Sequence, residues 1–280
     1  MIYHSQEHIA AILRLEEQCN QLESITIHAG IEHLAKENGD RALLCYRDDQ
    51  LAGLLSWYTV DGVIATINAM VHPDFRRQGV FRSLLQRAKA DMQPLGIQRL
   101  SYRIPQGSEA GFTAAQSLGA VFNRSEYSMT YAHSELKPPR DSDLRLCPAE
   151  PQDFEFMVAC SSQAFGDSEA WTREYFTRTN EPSRTTNIAW LDHIRVGLIR
   201  FNSINESTVF IHDFCIWPSN QGKGLGTKVL KSAVELLLNK QYTQIRLGVV
   251  TENKRALNLY LDAGFEIVSE LHYYTGGLSG

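Results

Sequence analysis

The chain has 280 residues and a net charge of −5, with 43% hydrophobic and 21% charged residues. That length suits two domains, each large enough for its own core. The mild acidity without a long basic run argues against nucleic acid or an anionic membrane as a partner, and no apolar run is long enough to span a bilayer.

Apolar periodicity and turn residues predict, in the first half, helices near 5–23 and 28–38, strands at 41–47, 51–59 and 63–71, a helix at 79–92, a strand at 97–103, a helix at 107–118 and strands at 120–131. Residues 133–143 are polar and contain Pro138-Pro139, which resists helix and central strand alike, so they read as a linker. The second half begins with a short strand at 144–147 and helices at 151–164 and 168–179, the latter capped by Ser168. Strands at 185–191 and 194–201 flank an Asp192-His193 turn, and 207–217 is the central strand. A helix at 224–239, a strand at 245–250, a helix at 253–263 and closing strands at 265–274 complete the chain. Helices alternating with strands indicate an α/β (α+β) mixed sheet in each half.

The run Gln221-Gly222-Lys223-Gly224-Leu225-Gly226 lies between the central strand and the next helix. Glycines let backbone approach a ligand closely, and the first turn of a helix offers unpaired N–H groups and the positive end of its dipole. The run therefore reads as a pyrophosphate cradle. A Walker loop would need a Lys after its last glycine, and a dinucleotide fingerprint would need glycine where Thr227 stands. The spacing fits Q/R-x-x-G-x-G/A instead.

A second run, Asn253-x-x-Ala256-x-x-x-Tyr260-x-x-x-Gly264-Phe265, fills every position of another pattern. With both runs the chain resembles the GNAT superfamily of acyl-CoA-dependent N-acetyltransferases, best over residues 144–274. The resemblance implies that the first run, Gln221 to Thr227 (Gly222, Lys223, Gly224, Leu225 and Gly226 included), holds the pyrophosphate of acetyl-CoA. It implies that Asn253, Ala256 and Tyr260 lie on a helix beside the pantetheine arm. Phe214, Cys215 and Ile216 match the strand bulge that aims a backbone N–H at the thioester carbonyl.

The first half carries a weaker copy at a constant offset. Pro73 and Pro218, Gly79 and Gly224, and Gly119 and Gly264 are each 145 residues apart, which argues for duplication of a whole domain. In the first copy Gly226 becomes Phe81, Asn253 becomes Ser108 and Tyr260 becomes Ala115. The expected organisation is a degenerate GNAT-like domain at 1–132, a linker at 133–143 and an active one at 144–280. Each would be a mixed, mostly antiparallel sheet flanked by helices.

Acetyl transfer to an amine needs a polarised carbonyl, a deprotonated amine and a protonated leaving thiolate. Tyr260 is the expected general acid, since a phenol is protonated at neutral pH. Some members of the family place a Glu base twelve residues before the tyrosine, but Gly248 stands there. His212 is the expected base, on one strand face with Phe214 and Ile216; a hydrogen-bonded core histidine is the alternative. Asp213 is expected on the opposite face unless a bulge inverts the alternation, and Glu252 is a further candidate. His272-Tyr273-Tyr274 could line the acceptor site, and Trp171 and Phe176 could cap it.

The five cysteines, at 19, 45, 147, 160 and 215, are scattered and without a C-x-x-C pair. Reduced thiols are expected, and residues 1–7 carry no signal-peptide pattern, so a cytoplasmic chain is expected. No His/Cys/Asp spacing suggests a metal. The functional expectation is direct acetyl transfer from acetyl-CoA to a primary amine of a small molecule, a protein N-terminus or lysine being the other acceptors. The chain would act as a monomer or homodimer. The rival expectation is a coenzyme A-binding regulatory or scaffold protein.

Overall fold

The computed structural model describes residues 6–25, 27, 29, 30, 34, 41–132 and 144–278. The chain divides into two compact units. One is Met1–Glu126 with Ser269–Gly280, and the other is Tyr127–Val268. The expected linker at 133–143 and most of the helix at 28–38 lie outside the described residues.

In the first unit the strands are β1 (Arg41–Arg47), β2 (Gln50–Thr59), β3 (Ile64–Val71), β4 (Arg99–Pro105) and, from Ser269, β11 (Phe265–Gly277), adjacent in that order. Neighbours are antiparallel except β3 and β4. Helix α1 (Gln6–Glu23) buries Ile12, Leu15 and Cys19 against Leu51, Leu54 and Met70. Helix α2 (Val80–Met92) buries Val80, Leu84 and Ala88 against Leu55, Trp57 and Leu100 on the other face. Helix α3 (Glu109–Ser117) follows β4.

The second unit contains β5 (Val121–Tyr131) from Tyr127, then β6 (Leu144–Pro148), β7 (Arg184–Leu191), β8 (Ile194–Ser203), β9 (Thr208–Ile216) and β10 (Gln244–Val250). Their spatial order is β5-β10-β9-β8-β7-β6. Strands β6 to β9 pair antiparallel; β9 and β10 are parallel, which requires the crossover helix α6 (Leu225–Asn239). Helices α6 and α7 (Lys254–Asp262) cover one face, and α4 (Phe154–Phe165) and α5 (Glu169–Arg178) the other. The α6 stripe of Leu225, Val229, Leu230, Ala233 and Leu237 is buried as its 3.6-residue period demands. The two-residue β7–β8 loop has Asp192 at φ 54°, the left-handed conformation that a tight hairpin needs.

The unit limits differ from the expected 132 and 144. Residues from Ser269 complete the first unit, where Tyr274 packs with Leu100 and Tyr102. Met129 and Tyr131 instead belong to the core of the second, beside Leu247 and Phe265. Period-two alternation identifies a strand but not the sheet it joins, because that depends on pairing distant in sequence.

Candidate active site

Strand β9 ends at Ile216, and a short turn at Pro218–Asn220 leads to Gln221 in extended conformation. Gly222 and Gly224 follow at φ 77° and 75°, and Gly224 is the N-cap of α6 with no side chain capping the first turn. A Cβ on either glycine would meet nothing within 4 Å, so the backbone here faces open space. An uncapped helix start behind two left-handed glycines fits a pyrophosphate group. Gln221 braces the loop: its Nε2 donates to the Ile216 carbonyl at 2.9 Å, and its Oε1 accepts from Arg255 Nη1 at 3.2 Å. Lys223 is exposed, with Nζ 3.4 Å from Asn220 Oδ1. Leu225 is buried and Thr227 half-buried.

Gly226 has a different task from its neighbours. A Cβ there would lie 2.7 Å from Leu259 Cδ1, so this glycine lets α6 pack on α7. In the first copy Phe81 stands at the Gly226 position and Ala114 at the Leu259 position. The bulky residue thus stands on the first of the two helices in one copy and on the second in the other. The first-copy loop keeps its backbone: Arg77 and Gly79 have φ 63° and 82°, and Arg76 Nε donates to the Val71 carbonyl at 3.1 Å, as Gln221 does to Ile216. Asn253 and Ser108 likewise share one role, each capping a helix by accepting the N–H of the third residue on.

Pairing of β9 with β10 runs only from Thr208↔Gln244 to Ile211↔Leu247, so the strands part before His212. In that stretch β9 carries a bulge. Leu198 pairs with Cys215 and Arg200 with His212, so Asp213 and Phe214 together stand against Ile199. Asp213 takes φ 48° to make this turn. The bulge corrects the expected face of His212. Phe214 packs with Ile211 and Ile216 on the α6 face, whereas Cys215 joins Met157, Cys160 and Phe176 on the α4–α5 face. His212 alternates with Ile211 and sits across from Arg200, whose guanidinium lies 5.0 Å from the Phe176 ring centre. His212 therefore faces away from Phe214, and Asp213 joins it through the inversion the bulge causes.

The result is a half-buried polar cluster. Asp213 accepts from Arg200 Nη1 at 3.0 Å and from the Tyr175 hydroxyl at 3.0 Å, and lies 3.1 Å from His212 Nδ1. Burial alone would raise the Asp213 carboxyl, but the His212 hydrogen bond and charge, then Arg200 and Tyr175, hold it below the usual aspartate value. Tyr175 is pushed up to about 12 by burial and then by the Asp213 charge. Arg200 and Tyr175 escaped the sequence reading. The available signal was Arg200 itself, a charge inside an apolar strand, which must find a partner when buried.

Tyr260 lies on α7 against the α6-side core, edge-on to Phe265 with ring centres 6.1 Å apart. Its hydroxyl has no protein hydrogen-bond partner among the described residues, and burial pushes its pKa up to about 12. Ala256 packs with it against the same core. Tyr260 and His212 thus occupy opposite faces of the sheet. Glu252 is exposed. A Cβ at Gly248 would lie 3.7 Å from Phe210 Cζ, an ordinary packing contact, so the strand has room for a side chain there.

Two expectations about the acceptor site change. His272, Tyr273 and Tyr274 pair with β4 in the first unit, where the Tyr273 hydroxyl donates to Glu126 and His272 pairs with Glu270. Phe176 is a core residue, while Trp171 stacks on Tyr175 with ring centres 5.3 Å apart. Among the described residues no group of three or more His, Cys, Asp or Glu could hold a metal, and no helix is long and apolar enough to cross a membrane.

The profile of the Acetyltransferase (GNAT) family matches residues 9–106 and 152–265. Mycothiol acetyltransferase of Saccharomonospora viridis is 25% identical over 272 residues, covering 86% of this chain and 85% of that protein. Thialysine N-epsilon-acetyltransferase of Mus musculus is 40% identical over 62 residues, 22% of this chain and about a third (36%) of that protein's length. A GCN5-related N-acetyltransferase from Sphaerobacter thermophilus shares the fold at a TM-score of 0.77, with 17% identity over 96% of this chain and 92% of that one. A tandem GNAT protein from the clavulanic acid biosynthesis pathway does so at 0.71, with 16% identity over 99% and 97%.

Proposed function

Because the chain belongs to the GNAT acetyltransferase family, we propose that it moves an acetyl group from acetyl-CoA directly to a primary amine, with the chemistry in the unit Tyr127–Val268. The observation that carries this reading is the pairing of an uncapped, left-handed glycine loop with strands that part at a bulge beside it. Gly222, Gly224 and the first turn of α6 would hold the pyrophosphate, with Lys223 adding charge and Thr227 its half-buried position in that turn. Acetyl-CoA supplies the acetyl group as a thioester. Phe214, Cys215 and Ile216 supply the backbone donors that polarise the carbonyl.

Tyr260 holds a proton for the departing thiolate, and its raised pKa keeps that proton in place across the physiological range. His212, on the other face, takes the proton of the incoming amine. The attacking and leaving groups flank the carbonyl, so an acid and a base on opposite faces suit one direct transfer without an acyl-enzyme. The first unit has Ala115 at the tyrosine position and so lacks this acid.

The acceptor is proposed to be a small-molecule amine, in keeping with relatives named for thialysine and mycothiol. The test is release of the coenzyme A thiol from acetyl-CoA on adding a panel of primary amines, thialysine included. Amine-dependent release that Tyr260→Phe slows supports the reading. Tight acetyl-CoA binding with no release for any amine favours a coenzyme-binding regulator instead.

A further inference from the structure

The β9 bulge does more than expose backbone. In a regular strand His212 and Asp213 would point to opposite faces. Asp213 instead adopts φ 48°, an uncommon backbone conformation for a residue with a side chain, and brings its carboxylate within 3.1 Å of His212 Nδ1. The carboxylate is itself fixed from two other elements. Arg200 of β8, 3% exposed, donates from Nη1 to Asp213 and from Nη1 and Nη2 to Thr179, while Tyr175 of α5 donates its hydroxyl to Asp213. The other imidazole nitrogen, His212 Nε2, is buried and has no protein partner among the described residues; Arg200 Nε and Asn202 Oδ1, on the same face of β8, share that condition.

We propose that Asp213 is a positioning residue that locks His212 in the tautomer carrying its proton on Nδ1, which leaves Nε2 as the basic nitrogen, with Arg200 and Tyr175 holding the carboxylate in place. An ionised carboxylate accepts and cannot donate, so a hydrogen bond from neutral imidazole to Asp213 requires the proton on Nδ1. Arg200 and Tyr175 act through Asp213, because they restrict the carboxylate rather than the ring. Buried polar atoms such as His212 Nε2 are ordinarily completed by water or ligand. The proposal rests on the reading of His212 as the base, and it turns a half-buried histidine into one with a defined direction of proton transfer. Arg200 of β8 stands opposite His212, Asp213 lies beside its ring, and Tyr175 of α5 reaches the pair through its bond to Asp213.

The test is long-range proton–nitrogen correlation spectroscopy on the full chain labelled at its nine histidines, with His212 assigned by loss of its signals in His212→Gln. In its neutral form the wild-type His212 is expected to carry its proton on Nδ1 and none on Nε2. Asp213→Asn keeps an acceptor oxygen and should keep that tautomer. Asp213→Ala should revert to the Nε2-protonated form that free imidazole prefers. A wild-type His212 protonated on Nε2 overturns the proposal without any variant needing to fold, and so does an unchanged tautomer in a folded Asp213→Ala. None of these readings depends on turnover. Failure of the acetyl-transfer reading would appear separately, as no amine-dependent thiol release from a wild type with the expected tautomer.

Discussion

Gly226 is packed so closely under Leu259 that a methyl group on the glycine would lie 2.7 Å from Leu259 Cδ1. Ala would gain about 1 kcal/mol of helix propensity over Gly, but forced overpacking costs about 1–3 kcal/mol. The Leu259 tip must therefore move, and Gly226→Ala should lower stability by up to about 2 kcal/mol once both effects are combined. Leu259→Ala in the same chain should relieve the clash, so the double variant should lose less than the two single losses added. Denaturant midpoints of the four proteins measure this. Strict additivity would mean that the two residues do not meet.

Gly197 lies against harder ground. A Cβ there would stand 2.5 Å from the Cys215 carbonyl oxygen and 3.1 Å from Ile216 Cα, both backbone atoms of β9 just past the bulge. Backbone cannot rotate away as a leucine tip does. Gly197→Ala is expected to destabilise the unit by about 2 kcal/mol or more and to weaken acetyl-CoA binding through displacement of β9. Thermal melting and calorimetric titration give the two readouts, and a wild-type profile in both would contradict the packing described here.

Tyr260→Phe removes the hydroxyl and keeps the ring against Phe265. Its kcat should fall by about 10²-fold or more, the usual contribution of a positioned acid, while acetyl-CoA affinity stays within about twofold. Burial that raises the Tyr260 pKa to about 12 also predicts no loss of wild-type kcat from this group up to pH 10. A tyrosine-dependent fall between pH 8 and 10 would show an ordinary, wet phenol.

Asp213 carries a pH signature with a definite sign. Its folded pKa lies below the ordinary 3.8, so ionised Asp213 stabilises the fold above that value and the contribution is lost as pH falls through the folded pKa. The wild type should therefore lose stability more steeply than Asp213→Asn as pH drops below about 4. Parallel acid-unfolding curves would mean that the carboxylate is no better held in the folded state than in the unfolded chain.

The sequence made the two glycine runs, the 145-residue offset and the order of helices and strands legible, because each depends on local spacing. Gln221, Gly222 and Gly224 form the expected turn between strand and helix, since turn chemistry is read from neighbours. What stayed hidden depended on non-local pairing. The alternation that put His212 with Phe214 is valid only for a regular strand, and the bulge is visible only once Arg200 is seen opposite His212. The exchange of closing strands, with Tyr274 in one unit and Tyr131 in the other, also rests on which distant strand is met. Gly226 shows a subtler limit: a glycine inside a run of turn glycines can be there for a neighbouring helix.

The central claim is that acetyl transfer takes place in the second unit, at the loop of Gly224, and the most direct test is amine-dependent release of the coenzyme A thiol in two matched variants. Gly224→Glu places a side chain and a negative charge at a left-handed position facing open space, and Gly79→Glu does the same at the equivalent position of the first unit. With circular dichroism confirming that both fold, the account predicts that Gly224→Glu abolishes turnover and Gly79→Glu retains kcat. Turnover that survives Gly224→Glu and disappears in Gly79→Glu would place the chemistry in the wrong half of the chain.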